Sequence, residues 1–306
     1  GAWTSRKRLA RSTCPPIWTC AGAWTTCTTG GSGRTTSSGA TTLAWNGELY
    51  NFRELKRERN LEREVGAFRS RTDTEVVLHL LEQSGHTVLD DFDGMFALAA
   101  WDKRTQRLLL ARDRFGIKPL FLLEHDGCFW FASEIKALLE VPGFRPEIDL
   151  ESLHHFFGLN YIPGSRTAFA GIRELAPGAW LEVGPEARVL GEGEFGRLAA
   201  GDGEADESIE QAAAESTELL RDAVGRQLVS DVPVGVMLSG GLDSSALAAL
   251  YAEIRGDGGF HTFSLGFDDP SFDESSAARQ VAGCLGTEHH EITVRPERVI
   301  EGLRSA

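Results

Sequence analysis

From Leu43 onward, apolar and polar positions fall into patterns that predict a definite series of elements. Leu43–Ala44–Trp45 predicts a strand leading into Asn46–Gly47–Glu48–Leu49–Tyr50–Asn51. Glu54 to Glu64 is charged, with apolar residues at Leu55 and Leu61, and predicts a surface helix. Thr72 and Glu75 stand in capping-box spacing ahead of a helix from Val76 to Gln83. Phe96–Trp101 and Arg107–Arg112 predict strands joined by a turn over 102–105, and Leu120–Leu123 with Cys128–Ala132 predicts a hairpin closed at Asp126–Gly127. Antiparallel strands flanked by helices imply a layered α+β domain. From Glu207 the rhythm changes to helix Ser208–Leu228, strand Val232–Leu238, helix Ser244–Ile254, strand His261–Phe267, helix Ser275–Leu285 and strand Glu291–Val294. That alternation implies a doubly wound parallel sheet, with three strands too few for a complete one. Between the two, residues 191–206 are Gly-rich and acidic and are expected to form a linker.

The opening stretch obeys neither period. Residues 1–47 contain no Asp or Glu, yet carry Arg6, Lys7, Arg8, Arg11 and Arg34, together with Cys14, Cys20 and Cys27. Thr26 to Gly33 approaches low complexity. A basic targeting arm, a disordered tail and a stretch translated out of register all fit. The last fits best, so residues 1–42 are expected to be aberrant and to stay outside a first domain spanning 43–190, with the second at 207–306.

Composition narrows the function. A length of 306 residues suits two domains, and a net charge of −14 argues against a general nucleic-acid or membrane-surface binder. No apolar run reaches membrane-spanning length, and no apolar core follows Arg6–Lys7–Arg8 as a secretion signal requires. Five Cys without metal-like spacing suggest free thiols in the cytoplasm, with Cys128 and Cys284 as packing residues.

The chemistry concentrates at Ser239–Gly240–Gly241–Leu242–Asp243–Ser244–Ser245. A Gly pair after a strand lets the backbone turn its N–H groups inward, and the following helix aims its positive end at the same point. Ser239, Ser244 and Ser245 add hydroxyls, and Asp243 offers a carboxylate to a divalent cation. This is a phosphate cradle. It is no Walker A loop, lacking Gly-Lys-Ser/Thr, and no nucleophile elbow, because Met237 replaces the first Gly. The plainer reading is a strand–turn–helix capped by Ser or Asp.

The segment resembles the Ser-Gly-Gly-x-Asp-Ser pyrophosphate loop of enzymes that cleave ATP between its α and β phosphates. Ahead of it come Asn46–Gly47–Glu48–Leu49–Tyr50–Asn51, Arg71–Thr72–Asp73–Thr74–Glu75, Asp93–Gly94–Met95–Phe96–Ala97, Arg112 to Leu120 and Phe131 to Leu138. In that order, the set resembles glutamine-hydrolysing asparagine synthetases. The resemblance implies an N-terminal-nucleophile-type glutaminase domain followed by a pyrophosphate-loop synthetase domain, here incomplete. It implies ATP and Mg²⁺ as cofactors, with glutamine and aspartate as substrates. Ammonia from glutamine would meet β-aspartyl-AMP, and a homodimer is an allowed assembly.

Carried over by position, Asn46 and Gly47 match the oxyanion hole, while Glu48 and Asp73 match the residues holding glutamine's α-amino group. Leu238 and Leu265 match backbone contacts to adenine. Ser239, Gly240, Gly241, Asp243 and Ser244 match the pyrophosphate grip, with Asp243 as Mg²⁺ ligand. Structural readings stand beside these: Asn46–Gly47 as a turn, and Asp73 as a helix cap. The Arg112–Asp113–Arg114 cluster with Lys118 reads as an ion-paired network bracing the strand turn. His289 and His290 would point to opposite faces of a strand, one buried and one exposed. The family's nucleophile is a Cys at residue 1, where this chain has Gly1, and an Arg-rich glutamine-carboxylate segment before Asn46 is missing. A second ATP loop and a catalytic Lys would lie past Ala306. These departures lead us to expect an inactive fragment. A β-lactam-forming synthetase or peptide amidotransferase, and a non-catalytic ATP-binding module, are the rival classes.

Overall fold

The computed structural model describes residues 25–28, 41–66, 68–197, 208–230, 232–256, 259–269, 271 and 273–295. The chain divides into two compact units, Gly1–Ala200 and Gly201–Ala306. In chain order the first contains β1 (Thr25–Thr28), β2 (Thr41–Leu49), α1 (Phe52–Glu58), α2 (Leu61–Val65), α3 (Asp73–Ser84), β3 (Gly94–Asp102) and β4 (Arg107–Arg112). It continues with β5 (Phe121–His125), β6 (Cys128–Ala132), α4 (Ile135–Leu139), α5 (Leu150–Leu159), β7 (Ile172–Glu174), β8 (Ala179–Val183) and β9 (Val189–Glu194).

Two antiparallel sheets result, ordered β1-β2-β3-β4-β8-β9 and β6-β5-β7. Strand alternation assigns each its two faces. Leu43, Trp45, Leu49, Phe96 and Leu98 of the large sheet pack against Leu55, Leu61, Val76, Val77 and Leu80 of α1–α3. The opposite face presents Ala44, Ala97, Ala99 and Leu110 to Leu122 and Phe131 of the small sheet. Leu123, Ala132 and Ile172 on the far side of the small sheet pack with Leu138 of α4. The layers therefore run helix–sheet–sheet–helix, the layered α+β architecture expected. Alanines on the inter-sheet face let the two sheets approach closely.

The second unit contains α6 (Ile209–Gln227), β10 (Val236–Met237), α7 (Leu242–Arg255), β11 (His261–Phe267), α8 (Ser275–Leu285) and β12 (Glu288–Val294). Its sheet is ordered β10-β11-β12 and parallel throughout. Val236 and Leu238 form one cluster with Ala248 of α7 and with Ala278 and Ala282 of α8. Ser208 caps α6 through a complete capping box with Gln211.

Several expectations change. Residues up to 42 do not all stay outside the first unit: β1 pairs antiparallel with β2, Thr25 opposite Trp45 and Thr28 opposite Thr42. Backbone ladders need no apolar period, and Thr suits a strand. The rest of residues 1–40 lies outside the described residues. The expected linker begins too early, because Gly191–Glu194 completes β9 against β8. Its glycines serve packing: a Cβ at Gly193 would sit 2.9 Å from the Trp180 indole nitrogen, and at Gly191 3.4 Å from the same ring system. Residues 198–207 lie outside the described residues. The Glu54–Glu64 helix is two helices, broken where Asn60 adopts a left-handed φ of 47°. The Val232–Leu238 strand shrinks to Val236–Met237, since Pro233 has no N–H for a ladder. Thr72 does cap α3, but with no side-chain hydrogen bond. Cys284 is free and exposed, whereas Cys128 is disulfide-bonded, so neither is a packing thiol.

Candidate functional site

In the first unit, the candidate residues gather where β2 ends. Asn46 and Gly47 are not a turn: both continue the ladder, opposite Ala97 and Phe96 of β3. Asn46 shares the inter-sheet side with Ala44, and its Nδ2 donates to Ser133 Oγ at 3.0 Å. Ser133, buried just after β6, thereby orients the amide from the second sheet. Ser133 lies in the Phe131–Leu138 stretch, yet nothing local in the sequence marks it for this role; only the stacking of the two sheets reveals it. Gly47 is required by close approach, because a Cβ there would lie 2.1 Å from the Met95 carbonyl oxygen and 2.6 Å from Phe96 Cα. The Trp45 indole donates to the Gly47 carbonyl at 2.9 Å and stacks on Phe96. Both contacts hold this stretch of backbone in place.

Asp73 opens α3 and ties the helix to the strand. Its Oδ2 accepts from Leu49 N–H at 2.9 Å, while Oδ1 accepts from Thr74 N–H at 2.6 Å. Its neighbour along β2, Glu48, is exposed. Burial, and then the carboxylates Glu48, Asp93 and Asp113, push the Tyr50 phenol above its ordinary value. The end of β2 is therefore an anionic corner, chemically suited to an ammonium group.

Glu75 stands in capping-box spacing to Thr72 but instead organises the loop before α3. It accepts from Arg69 N–H at 2.8 Å, Ser70 N–H at 2.6 Å and Ser70 Oγ at 2.6 Å. Burial pulls its carboxyl up, but the Ser70 and Arg69 hydrogen bonds and nearby His79 outweigh it, leaving the carboxyl below the usual range. Burial holds the His79 imidazole below its ordinary value, with Glu75 and Glu82 pulling the other way.

Bracing falls to the Arg112–Lys118 turn, as expected, though by a different wiring. Asp113, fully buried, accepts from the backbone N–H of Phe96, Phe115, Ile117 and Lys118 at 2.9–3.2 Å. Arg112 donates to the carbonyls of Lys118, Leu175 and Gly116 and pairs with Glu174 at 2.9 Å. A cavity of about 390 Å³ lined by Leu81, His86, Asp102 and Arg107 lies toward the Thr41–Asp102 end of the β2–β3 ladder, far from Asn46.

In the second unit, the Ser-Gly-Gly loop links β10 to α7 at the carboxyl end of the sheet. Gly240 takes φ +80°, and a Cβ there would also lie 2.6 Å from Ala278 N in α8. Both conditions demand glycine. The serines fold the loop: Ser239 Oγ and Ser244 Oγ are 2.9 Å apart, Ser239 N–H donates to Ser244 Oγ, and Gly241 N–H to Ser239 Oγ. Ser245 Oγ donates to the Gly241 carbonyl at 2.7 Å. Gly241 is the N-cap of α7 and supplies no capping side chain, so the N–H groups of the first turn remain available to an anion.

A pocket of about 350 Å³ opens here, lined by Met237, Leu238, Ser239, Ser244, Ser264, Leu265, Phe267 and Glu274. It unites four of the residues singled out in the sequence: Leu238, Ser239, Ser244 and Leu265. Asp243 is exposed in the first turn of α7, with no hydrogen bond or ion pair engaging it among the described residues. One exposed carboxylate beside N–H groups open to an anion is a donor set that suits Mg²⁺, since that ion keeps waters and takes further oxygens from phosphates. His289 and His290 do face opposite ways, but both are half-buried. His289 bridges Thr262 Oγ1 at 2.9 Å and Ser264 Oγ at 3.1 Å, and so sits behind a pocket-lining serine.

These features define a layered α+β domain followed by a parallel α/β unit whose Ser-Gly-Gly loop opens helix N–H groups toward a pocket. The family model "Glutamine amidotransferase domain" matches residues 29–191, and "Asparagine synthase" matches 215–306. By those matches, the chain belongs to the glutamine-hydrolysing asparagine synthetase family. It is 34% identical over 277 residues to asparagine synthetase [glutamine-hydrolyzing] 3 of Bacillus subtilis, covering 86% of this chain and 44% of that protein. It is 38% identical over 266 residues to a putative asparagine synthetase of Mycobacterium tuberculosis, covering 85% and 40%. Asparagine synthetase B of Escherichia coli is 32% identical over 276 residues, covering 85% and 43%. The chain thus spans less than half the length of these curated relatives. Among solved structures, the glutamine phosphoribosylpyrophosphate amidotransferase of B. subtilis aligns with TM-score 0.38 and 18% identity over 83% of this chain and 61% of that chain. Among the described residues, no helix is long and apolar enough to cross a membrane.

Proposed function

We propose that this chain supplies the glutamine-binding domain and the ATP pyrophosphate loop of an ATP-dependent, glutamine-hydrolysing asparagine synthetase. In this reading Asn46 Nδ2 and Gly47 N–H face the oxyanion formed as glutamine is attacked, while Glu48 and Asp73 hold its α-amino group. The backbone of Leu238 and Leu265 contacts adenine. Ser239, Gly240, Gly241 and Ser244 receive the pyrophosphate, with Mg²⁺ on Asp243. Aspartate would be activated as β-aspartyl-AMP and take the ammonia. The reading has the chain working in the cytoplasm on small molecules rather than on nucleic acid or membrane, with a homodimer as an allowed assembly.

One observation carries this reading: Leu238, Ser239, Ser244 and Leu265, separated by up to 27 positions, line a single pocket at the mouth of the loop. Calorimetry with Mg²⁺-ATP tests it. The wild-type chain should bind, and Ser239→Ala with Ser244→Ala should weaken binding at least tenfold, because both hydroxyls shape the loop. A wild-type chain that is folded and binds no nucleotide overturns the assignment.

A further inference from the structure

The parallel pairing of β11 with β12 sets His261 opposite Glu288 and Phe263 opposite His290. Side chains alternate along each strand, so His261, Phe263, Glu288 and His290 share one face, while His289 turns to the other to meet Thr262 and Ser264. Three potential ligand groups therefore converge at the amino-terminal ends of two neighbouring strands, and none of them lines the nucleotide pocket.

Their spacing is informative. His261 Nδ1 lies 3.0 Å from His290 Nε2. His261 Nδ1 lies 3.6 Å from Glu288 Oε2, and His290 Nε2 lies 3.6 Å from Glu288 Oε1. Nitrogen ligands about 2.0–2.1 Å from a tetrahedral zinc ion stand about 3.3 Å apart, so these separations bracket the edge of such a site. The ligand atoms all lie within 4.8 Å of one another. The ring of Phe263 stacks on His290 at 5.0 Å between centroids and 19° between planes, which fixes the imidazole's orientation. The side chains are 42%, 68% and 41% exposed, so an ion can enter and retain water.

We propose that His261, Glu288 and His290 form a binding site for a divalent transition-metal ion of the zinc class, with water completing the coordination. Two imidazoles and a carboxylate suit zinc, cobalt or nickel, whereas hard ions such as Mg²⁺ favour an all-oxygen shell. The site is independent of the nucleotide loop and of the family's reaction.

The test uses the full 306-residue chain, stripped with chelator and titrated with Co²⁺ without nucleotide, followed by displacement with Zn²⁺. One equivalent of Co²⁺ should bind with visible d–d absorption that Zn²⁺ abolishes. Removing a supporting hydrogen bond alone typically costs a metal site 10–100-fold, so His261→Ala and His290→Ala should each weaken binding at least about tenfold. Glu288→Gln, which preserves shape, should also weaken it. His154→Ala with His155→Ala, on α5 of the first unit, should leave it unchanged. Far-UV circular dichroism confirms that each variant is folded. No saturable Co²⁺ uptake by the folded wild-type chain, or uptake that survives loss of both His261 and His290, overturns the proposal and leaves these side chains as a surface hydrogen-bonded cluster.

Discussion

Replacing Gly47 by Ala should unfold the first unit at far lower urea, because at this position the backbones of β2 and β3 leave no room for a side chain. The added Cβ would lie 2.1 Å from the Met95 carbonyl oxygen, where ordinary contact begins at 3.4 Å, so the strands must part by 3.4 − 2.1 = 1.3 Å. Neither strand can retreat freely. β2 is paired to β1 on its other edge and β3 to β4 on its own. Gly94 marks the same close approach from the other strand, with a virtual Cβ 2.3 Å from the Glu48 carbonyl oxygen. Overpacking of this kind costs about 1–3 kcal/mol. The loss of roughly two ladder hydrogen bonds adds about 0.5–1.5 kcal/mol each, for a total near 4 kcal/mol. With a urea dependence of at most about 3 kcal/mol/M, the midpoint should fall by at least about 1 M.

Tryptophan fluorescence isolates the event, since Trp45, Trp101, Trp130 and Trp180 lie in the first unit and none of the seven Trp lies beyond residue 180. Asn46→Ala is the control: it removes one hydrogen bond to Ser133 and should cost about 1 kcal/mol. A Gly47→Ala midpoint within about 0.3 M of wild type, at an unchanged slope, refutes the steric argument.

Gly240→Ala should abolish Mg²⁺-ATP binding, because its Cβ would collide with α8 and its φ is left-handed; calorimetry and far-UV circular dichroism read both effects. Asp243→Asn should weaken Mg²⁺-ATP while leaving Mg²⁺-free adenosine nearly unaffected; equal loss of both would indicate a folding defect. The Glu75 carboxyl sits below its ordinary value in the folded state, so the stability it contributes is present above the unfolded value of about 4.3 and is lost as pH falls below it. Glu75→Gln should therefore destabilise at pH 7 and lose that penalty progressively in stronger acid, as urea midpoints measured against pH would record. His79 is held below its ordinary value of about 6.5, so the unfolded chain binds the proton more readily and stability falls as pH drops from 6.5. His79→Gln should flatten that slope.

Much of this was legible in one dimension. The Ser-Gly-Gly loop, the helix–strand rhythm after residue 207 and the antiparallel strands near residue 100 follow from periodicity and from glycine at positions that demand it. Ser239 and Ser244 bond to each other and Ser245 to the Gly241 carbonyl, so the arrangement is local and a short window of sequence contains it. Where local reading failed, distant packing was at work. Gly191 and Gly193 look like linker residues until Trp180 is laid across them. Glu75 looks like a helix cap until the loop at Arg69 and Ser70 folds back onto it.

The same division separates the sites. Sequence alone determined which residues carry carboxylate, amide and hydroxyl chemistry, and in what order, because those properties belong to side chains and their near neighbours. Only the tertiary structure decided what those groups face. Ser133 reaches Asn46 across 87 positions because two sheets stack through a layer of alanines. His261 meets His290, 29 positions away, because the parallel register sets it opposite Glu288, one step along the same face. Such contacts depend on which faces are buried together, a property of the assembled layers that no window of the chain contains.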